Sequence, residues 1–144
     1  MSNLKLKYTM LDTEPWWLGQ AINFPLGGKK LPYRHAPHKK NCAYRNCQLQ
    51  LVMHGGGYDI HPYTYCEGWA RCKDAPDLVL YHAWLIDPDG RVYDPTPYWC
   101  TQGIEYQGLA ISTPKLLEIF QLTNLWEPVL TKFKDIVCRA EYLQ

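Results

Sequence analysis

The sequence has no long apolar run and almost no net charge. Its uninterrupted apolar stretches are short, as at residues 78–81, and they fall far below the roughly 20 residues that a membrane-spanning helix needs. The formal net charge is only +1, and no known nucleic-acid-binding motif is present, which argues against a nucleic-acid partner. We therefore expect neither a membrane nor a nucleic acid as the partner.

The first residues of the sequence do not have the pattern of a secretory signal. The N-terminal sequence MSNLKLKYTMLDTEPWWLG has no continuous apolar segment and no small-residue cleavage site, so we expect a cytoplasmic protein. Disulfides are rare in the cytosol, which weakens a disulfide framework for the six cysteines. The four-residue gap from Cys42 to Cys47 is at the upper limit of zinc-site spacing, and the five-residue gap from Cys66 to Cys72 exceeds it. We predict no metal and no cofactor.

The composition is that of one folded unit. The 144 residues are 47% hydrophobic and 14% aromatic, which is enough for a single compact core. No repeat, linker or low-complexity segment divides the chain. We predict one domain over residues 1–144, with an irregular N-terminal wrap at 1–40, a core at about 41–112 and C-terminal helices at 113–144.

Acidic residues are absent between Glu14 and Asp59. This window contains a basic segment, residues 29–45, which begins at Lys29 and ends at Arg45. Such a segment can contact an acidic partner. It can also be a solvated loop that balances the acidic C-terminal half of the chain.

Local patterns predict an α+β fold. N-cap residues and glycines mark the ends of the helices. Alternating aromatic residues indicate a strand, and a Pro-Asp-Gly sequence indicates a hairpin turn. The predicted elements are a helix from Asn41 to residue 53, strands at 63–72 and 78–86, a hairpin turn at 87–90 with an extended return to Asp94, and helices at 112–123 and from 128 onwards. The helices would pack on an antiparallel sheet.

Cys42, His82 and Asp94 are residues of the types that nucleophilic cysteine catalysis needs. Cys42 follows the N-cap of the first helix, where the helix dipole favours a thiolate. His82 lies on a strand, and Asp94 lies on the returning arm of the hairpin. A histidine beside the thiol exchanges its proton, and a carboxylate on the far ring nitrogen fixes the tautomer.

The hairpin gives a geometric test of this arrangement. If residues 88–90 form a three-residue loop with Gly90 in a left-handed bulge, Asp87 pairs with Arg91. Trp84 then faces Asp94, and Asp94 lies diagonal to His82 within reach of the imidazole. His82 could instead be a core histidine, and Asp94 could simply cap a turn.

The residues around this pair resemble a known family. The stretch HAWLIDPDGRVYDPT (82–96) is similar to the His-Ala-Trp and Asp-Pro-Thr strands of the transglutaminase-like branch of the papain-like cysteine proteins. YCEGWA (65–70) and YQGLAIS (106–112) resemble segments of small bacterial and phage proteins of the same kind. The resemblance implies a papain-like core in which a helix bearing the nucleophile precedes the 65–70 strand.

The resemblance implies a nucleophile and supporting residues. It points to Cys42 as the nucleophile and to Asn46 as the asparagine near the helix start, although Cys42 and Asn46 are one residue further apart than in the family pattern. Cys66 and Cys47 therefore remain alternative nucleophiles, and an arrangement with no nucleophile remains open. Trp84 is a further supporting residue.

Glu67 is an unusual residue for a central strand. We expect its carboxylate to be hydrogen-bonded, either as support for the site or to the basic segment.

Two functions follow from this sequence. The first is a cysteine-dependent acyl-transfer enzyme of the amide hydrolase, deamidase or transglutaminase type, which uses Cys42, His82 and Asp94 on a protein or peptide substrate. The alternative is a catalytically inactive papain-like scaffold, of the kind that phages encode, that acts as a protein-binding module or inhibitor.

Overall fold

A computed structural model describes residues 17–30, 43–53, 63–96, 103–123 and 128–132. The strands are β1 (Ile22–Asn23), β2 (Thr64–Cys72), β3 (Ala75–Ile86), β4 (Val92–Tyr93) and β5 (Gly103–Ile111). The helices are α1 (Ala43–Met53), α2 (Thr113–Thr123) and α3 (Val129–Lys132), and a 3-10 turn covers Leu18–Gln20. The prediction of an α+β fold with an antiparallel sheet is confirmed. None of the helices in these ranges is long and apolar enough to cross a membrane.

The sheet has the strand order β1-β5-β2-β3-β4, and every neighbouring pair is antiparallel. Successive side chains of a strand point to opposite faces, so β2 and β3 divide into an odd-numbered and an even-numbered face. On the odd face, Tyr65, Trp69 and Leu85 pack with Cys47 and Leu51 of α1. The odd face is therefore the one that the helices cover.

The even face carries a second, smaller core. Its buried members come from the N-terminal segment and from four strands, and they are Phe24, Cys66, Ala70, Trp84, Val92 and Tyr106. The Phe24 ring packs edge-on against Trp84 at 5.8 Å. The sheet is thus buried by apolar side chains on both faces.

The helix ends follow the predicted signals where they can be compared. α1 ends at Met53, and α2 runs from Thr113 to Thr123, as predicted. The Ser112 hydroxyl accepts a hydrogen bond from the backbone N–H of Lys115 at 3.3 Å, which is the geometry of an N-cap. Asn41, the glycines at 55–57 and residues 133–144 lie outside the described residues.

The β3–β4 hairpin has the predicted register. Leu85 pairs with Tyr93 and Ile86 with Val92. The Asp87 N–H donates to the carbonyl of Arg91 at 2.9 Å. Gly90 has a φ of 78°, which is the left-handed conformation that the bulge requires.

The N-terminal segment is fixed to β4 and to the hairpin turn. Val92 donates its N–H to Pro25 O at 2.8 Å and accepts the Gly28 N–H at 2.7 Å. The Asp87 carboxylate accepts the backbone N–H of Lys29 at 3.0 Å. This bond and a second one from Arg91 N–H hold the pKa of Asp87 below its ordinary value.

Strand β5 has no counterpart among the predicted elements. It pairs with β2 along its length, and Gly68 of β2 lies opposite Gly108 of β5. A Cβ on Gly68 would clash with the backbone carbonyl of Gln107, and one on Gly108 would clash with that of Glu67. The two strands can therefore pair closely here only because both residues lack a side chain.

Replacement of Gly68 by alanine tests this close approach. We expect Gly68→Ala to lower the free energy of unfolding by about 3 kcal/mol, because backbone atoms of β5 must move to accept the methyl group. Urea denaturation followed by circular dichroism measures the change. Gly19→Ala is the matched control, since a Cβ on Gly19 has no atom within 4 Å, and it should change stability by less than about 0.5 kcal/mol. Equal effects of the two variants would contradict the prediction.

Candidate functional site

His82 and Asp94 form a hydrogen-bonded pair. His82 Nε2 lies 2.8 Å from Asp94 Oδ2, and the side chains are 6% and 11% exposed. His82 lies on β3 opposite Gly68, and Asp94 directly follows β4. The predicted contact between these two side chains is present, although the strand ladder itself ends at Tyr93.

The Asp94 carboxylate has two further donors. Its Oδ1 accepts the backbone N–H of Thr96 at 3.1 Å, and its Oδ2 accepts the Tyr106 hydroxyl at 2.8 Å. The bond to Thr96 is the turn-capping role that forms the alternative interpretation of Asp94. Asp94 therefore caps the turn and holds the histidine at the same time.

The pairing fixes how the imidazole can act. A carboxylate only accepts hydrogen bonds, so the proton of a neutral His82 is on Nε2. Nδ1 is then the ring nitrogen that can accept a proton from a nucleophile. This is the tautomer that general-base catalysis by His82 needs.

Helix α1 meets this pair through Asn46. The Asn46 side-chain amide donates to the Thr96 hydroxyl at 3.2 Å, and both residues are buried. Thr96 in turn holds Asp94 through its backbone N–H. Since α1 packs on the odd face and His82 belongs to the even face, this contact joins the helix to the pair around the edge of the sheet where β4 ends.

The three candidate nucleophiles differ in what can be said of them. Cys42 lies outside the described residues, one position before α1. Cys47 and Cys66 are free thiols without exposed surface, and burial raises the pKa of both well above the ordinary value. Asp94 further raises the pKa of Cys47. Burial and a raised pKa both disfavour a reactive thiolate.

Cys47 and Cys66 also lie on different faces of the sheet. Cys47 packs among the odd-face residues, whereas Cys66 lies on the even face, opposite Trp84 and diagonal to His82. The Cys66 thiol is 4.0 Å from the carbonyl oxygen of Thr64. Of the two, only Cys66 shares the face of His82, and it is sealed from solvent.

Glu67 is hydrogen-bonded, as expected, but its partners differ from the expected ones. Its carboxylate accepts the hydroxyl groups of Tyr65 and of Tyr81, the latter at 3.0 Å. It also accepts the backbone N–H groups of Val129 at 2.5 Å and Leu130 at 3.0 Å. These donors belong to β2, β3 and α3 rather than to the His82 pair or the described part of the basic segment.

The Glu67 network reaches α1 indirectly. The Gln48 amide of α1 donates to the same Tyr65 hydroxyl at 2.9 Å. Burial raises the pKa of Glu67 above its ordinary value of 4.5, although the four donors oppose the rise. The Glu67 network is therefore linked to α1 through the Tyr65 hydroxyl.

Trp84, the remaining predicted supporting residue, packs beside the pair. It is fully buried on the even face, and its ring centroid lies 5.0 Å from that of Tyr106. Sequence reasoning misses Tyr106 as a site residue, because it does not identify the segment 106–112 as a strand. Within the described part of the chain, no group of three or more His, Cys, Asp or Glu residues could hold a metal ion.

No family model matches this sequence, and no match was found among curated proteins or solved structures.

Replacement of Glu67 by glutamine tests the carboxylate network. An amide places two N–H donors where the carboxyl group carries at most one proton, and these donors face other donors, so we expect Glu67→Gln to lower the free energy of unfolding by about 1–3 kcal/mol at pH 5. The folded-state pKa of Glu67 is raised, so the folded protein binds this proton more tightly than the unfolded chain does. The free energy of unfolding of the parent should therefore fall as pH rises from about 4.5 through the folded-state pKa. Because Glu67→Gln has no such proton, the difference in free energy of unfolding between the parent and this variant should narrow over the same range.

Urea denaturation between pH 4.5 and 8 measures both effects. Glu105→Gln is the matched control, because Glu105 pairs with Arg71 at 2.6 Å in a partly exposed position and should contribute less than about 1 kcal/mol. If the free energies of unfolding of the parent and of Glu67→Gln differ by the same amount across this range, the raised folded-state pKa of Glu67 is contradicted.

Proposed function

We propose that this protein is a cysteine-dependent acyl-transfer enzyme with a papain-like, transglutaminase-like core. Cys42 is the nucleophile, His82 is the general base and acid, and Asp94 orients His82. The observation that carries the proposal is the hydrogen bond from His82 Nε2 to an Asp94 carboxylate that two other donors hold in place. Asp94 has the arrangement of an orienting carboxylate, because it accepts the His82 ring N–H while two other donors hold its two oxygens.

The reaction follows from these roles. The Cys42 thiol gives its proton to Nδ1 of His82, and the sulfur attacks the carbonyl carbon of an amide. The C–N bond breaks, and the His82 imidazolium protonates the leaving nitrogen, so that a thioester remains. Water or an amine then loses its proton to His82 and attacks the thioester, which releases the acyl product and regenerates the thiol. Water gives hydrolysis or deamidation, and an amine gives transglutamination.

The choice of Cys42 rests on its place in the sequence and on the position of α1. Cys42 directly precedes α1, and the N-terminal end of a helix stabilises a thiolate. In the sequence it lies four positions before Asn46. The Asn46 side is the side of α1 that contacts Thr96, and through Thr96 reaches Asp94.

A second candidate function is a papain-like scaffold that binds a partner protein. The burial of His82 favours it, because a side chain that is only 6% exposed offers little surface to a substrate. The basic side chains of Lys29 and Lys30 are exposed beside the hairpin turn, where an acidic partner could contact them. In this alternative the histidine pair has a structural role only.

Alkylation of the native protein by iodoacetamide between pH 5 and 9 separates the two functions. If Cys42 is paired with His82, it should react at pH 6 at least about tenfold faster than a cysteine of the urea-unfolded chain, since the thiolate forms below the ordinary thiol pKa. Peptide mapping by mass spectrometry assigns the modified residue. His82→Ala should abolish the advantage at pH 6, and Asp94→Asn should reduce it by about tenfold.

The matched control for Asp94→Asn is Asp89→Asn, because Asp89 is exposed on the hairpin turn and should leave the reactivity of Cys42 unchanged. Fast reaction of Cys47 or Cys66 in place of Cys42 would show that the nucleophile is assigned wrongly. If Cys42 reacts no faster in the native protein than in the unfolded chain, the enzyme proposal fails and the binding scaffold is favoured.

A further inference from the structure

We propose that Tyr106 is a positioning residue of the candidate site, which acts on His82 through Asp94, and that Gly103 keeps open the space that the Tyr106 hydroxyl occupies. This inference rests on the proposed function for its catalytic meaning. The hydrogen-bond geometry on which it depends can be tested without any substrate.

Tyr106 contacts Asp94, His82 and Trp84 on the even face. Its hydroxyl donates to Asp94 Oδ2 at 2.8 Å, the same oxygen that accepts His82 Nε2. Its ring centroid lies 6.4 Å from that of His82 and 5.0 Å from that of Trp84. The residue is 3% exposed, so solvent does not compete effectively for its hydroxyl.

The space around the hydroxyl depends on a glycine at the start of β5. A Cβ on Gly103 would overlap the Tyr106 hydroxyl oxygen and the ring carbons next to it. Gly103 does not have a positive φ, so alanine is compatible with its backbone. The absence of a side chain at position 103 therefore serves the placement of the Tyr106 hydroxyl and not the conformation of β5.

The hydroxyl matters because of how Asp94 is held. With Tyr106 in place, the carboxylate is fixed at Oδ1 by Thr96 N–H and at Oδ2 by the hydroxyl. Without the hydroxyl, the Thr96 bond remains as the anchor besides His82 itself, and the carboxylate can rotate about its terminal bond. His82 then loses a fixed acceptor for its Nε2 proton, and Nδ1 is less well aimed at a nucleophile.

Two substitutions remove the hydroxyl from Asp94 in different ways. Tyr106→Phe deletes the oxygen and keeps the ring that packs on Trp84. Gly103→Ala keeps the tyrosine and displaces its hydroxyl. Tyr63→Phe is the matched control, because the Tyr63 hydroxyl donates to the backbone carbonyl of Lys29, away from Asp94. Thermal unfolding by circular dichroism first establishes that all three variants are folded.

The first measurement is the downfield proton signal of His82 Nε2–H in NMR spectra of ¹⁵N-labelled protein. A fixed carboxylate protects this proton from exchange with water, so we expect the signal in the parent and in Tyr63→Phe. We expect it to broaden or disappear in Tyr106→Phe and in Gly103→Ala. This readout does not involve Cys42, so it remains valid if the proposed function is wrong.

The second measurement is the ratio of the Cys42 alkylation rates at pH 6 and pH 9. At pH 9 the thiol ionises without help from His82, whereas at pH 6 it depends on the histidine. Loss of one hydrogen bond should lower the ratio about three- to tenfold in both variants. When Gly103→Ala and Tyr106→Phe are combined, the ratio should equal that of Tyr106→Phe alone, because the hydrogen bond to Asp94 that each substitution removes is already absent.

The outcomes distinguish the two proposals. A parent Cys42 that is not activated at pH 6 refutes the proposed function, and the NMR signal then decides the role of Tyr106 alone. Parent-like signals in both variants overturn the positioning role, as does a parent-like alkylation ratio in a protein whose Cys42 is activated. A change in Tyr106→Phe with Gly103→Ala at parent values also overturns it, since displacement of the hydroxyl would then have no effect.

Discussion

The buried carboxylate of Glu67 is the constraint on which the packing of the helices depends. It lies on the central strand β2 without exposed surface, where a charge that lacked hydrogen-bond donors would cost several kcal/mol. The donors come from Tyr65, Tyr81 and the first two N–H groups of α3. Because these groups are far apart in the sequence, the carboxylate is satisfied only when β2, β3 and α3 are assembled together.

The same network sets the position of α1 relative to the candidate site. Gln48 joins one side of the helix to Tyr65, and Asn46 joins the other side to Thr96. Residues two apart point to nearly opposite sides of a helix, so these bonds hold α1 between the centre of the sheet and the segment after β4. Asp94 receives its N–H donor from that segment, and the orientation of His82 thus depends indirectly on the packing of α1.

Local chemistry explains which features could be predicted from the sequence. The hairpin register follows from Gly90, because one residue in the left-handed conformation fixes the loop and hence every pair beyond it. The N-cap residues and the glycines that end helices can likewise be identified from a few neighbouring residues. By contrast, β5 contains two glycines and no clear alternation, and pairing with β2 is what makes it a strand. Tyr106 could not be placed beside Asp94 without that pairing.

The two faces of the sheet bear on which thiol could serve His82. Cys47 packs on the odd face and has no exposed surface, whereas His82 belongs to the even face. Cys66 shares the face of His82 but has no exposed surface, and a substrate carbonyl could not reach its sulfur. Helix α1 is linked to the pair where β4 ends, through the Asn46–Thr96 contact. A nucleophile supplied by α1 would therefore come from its first turn or from the residue before it, which gives the position of Cys42 its significance.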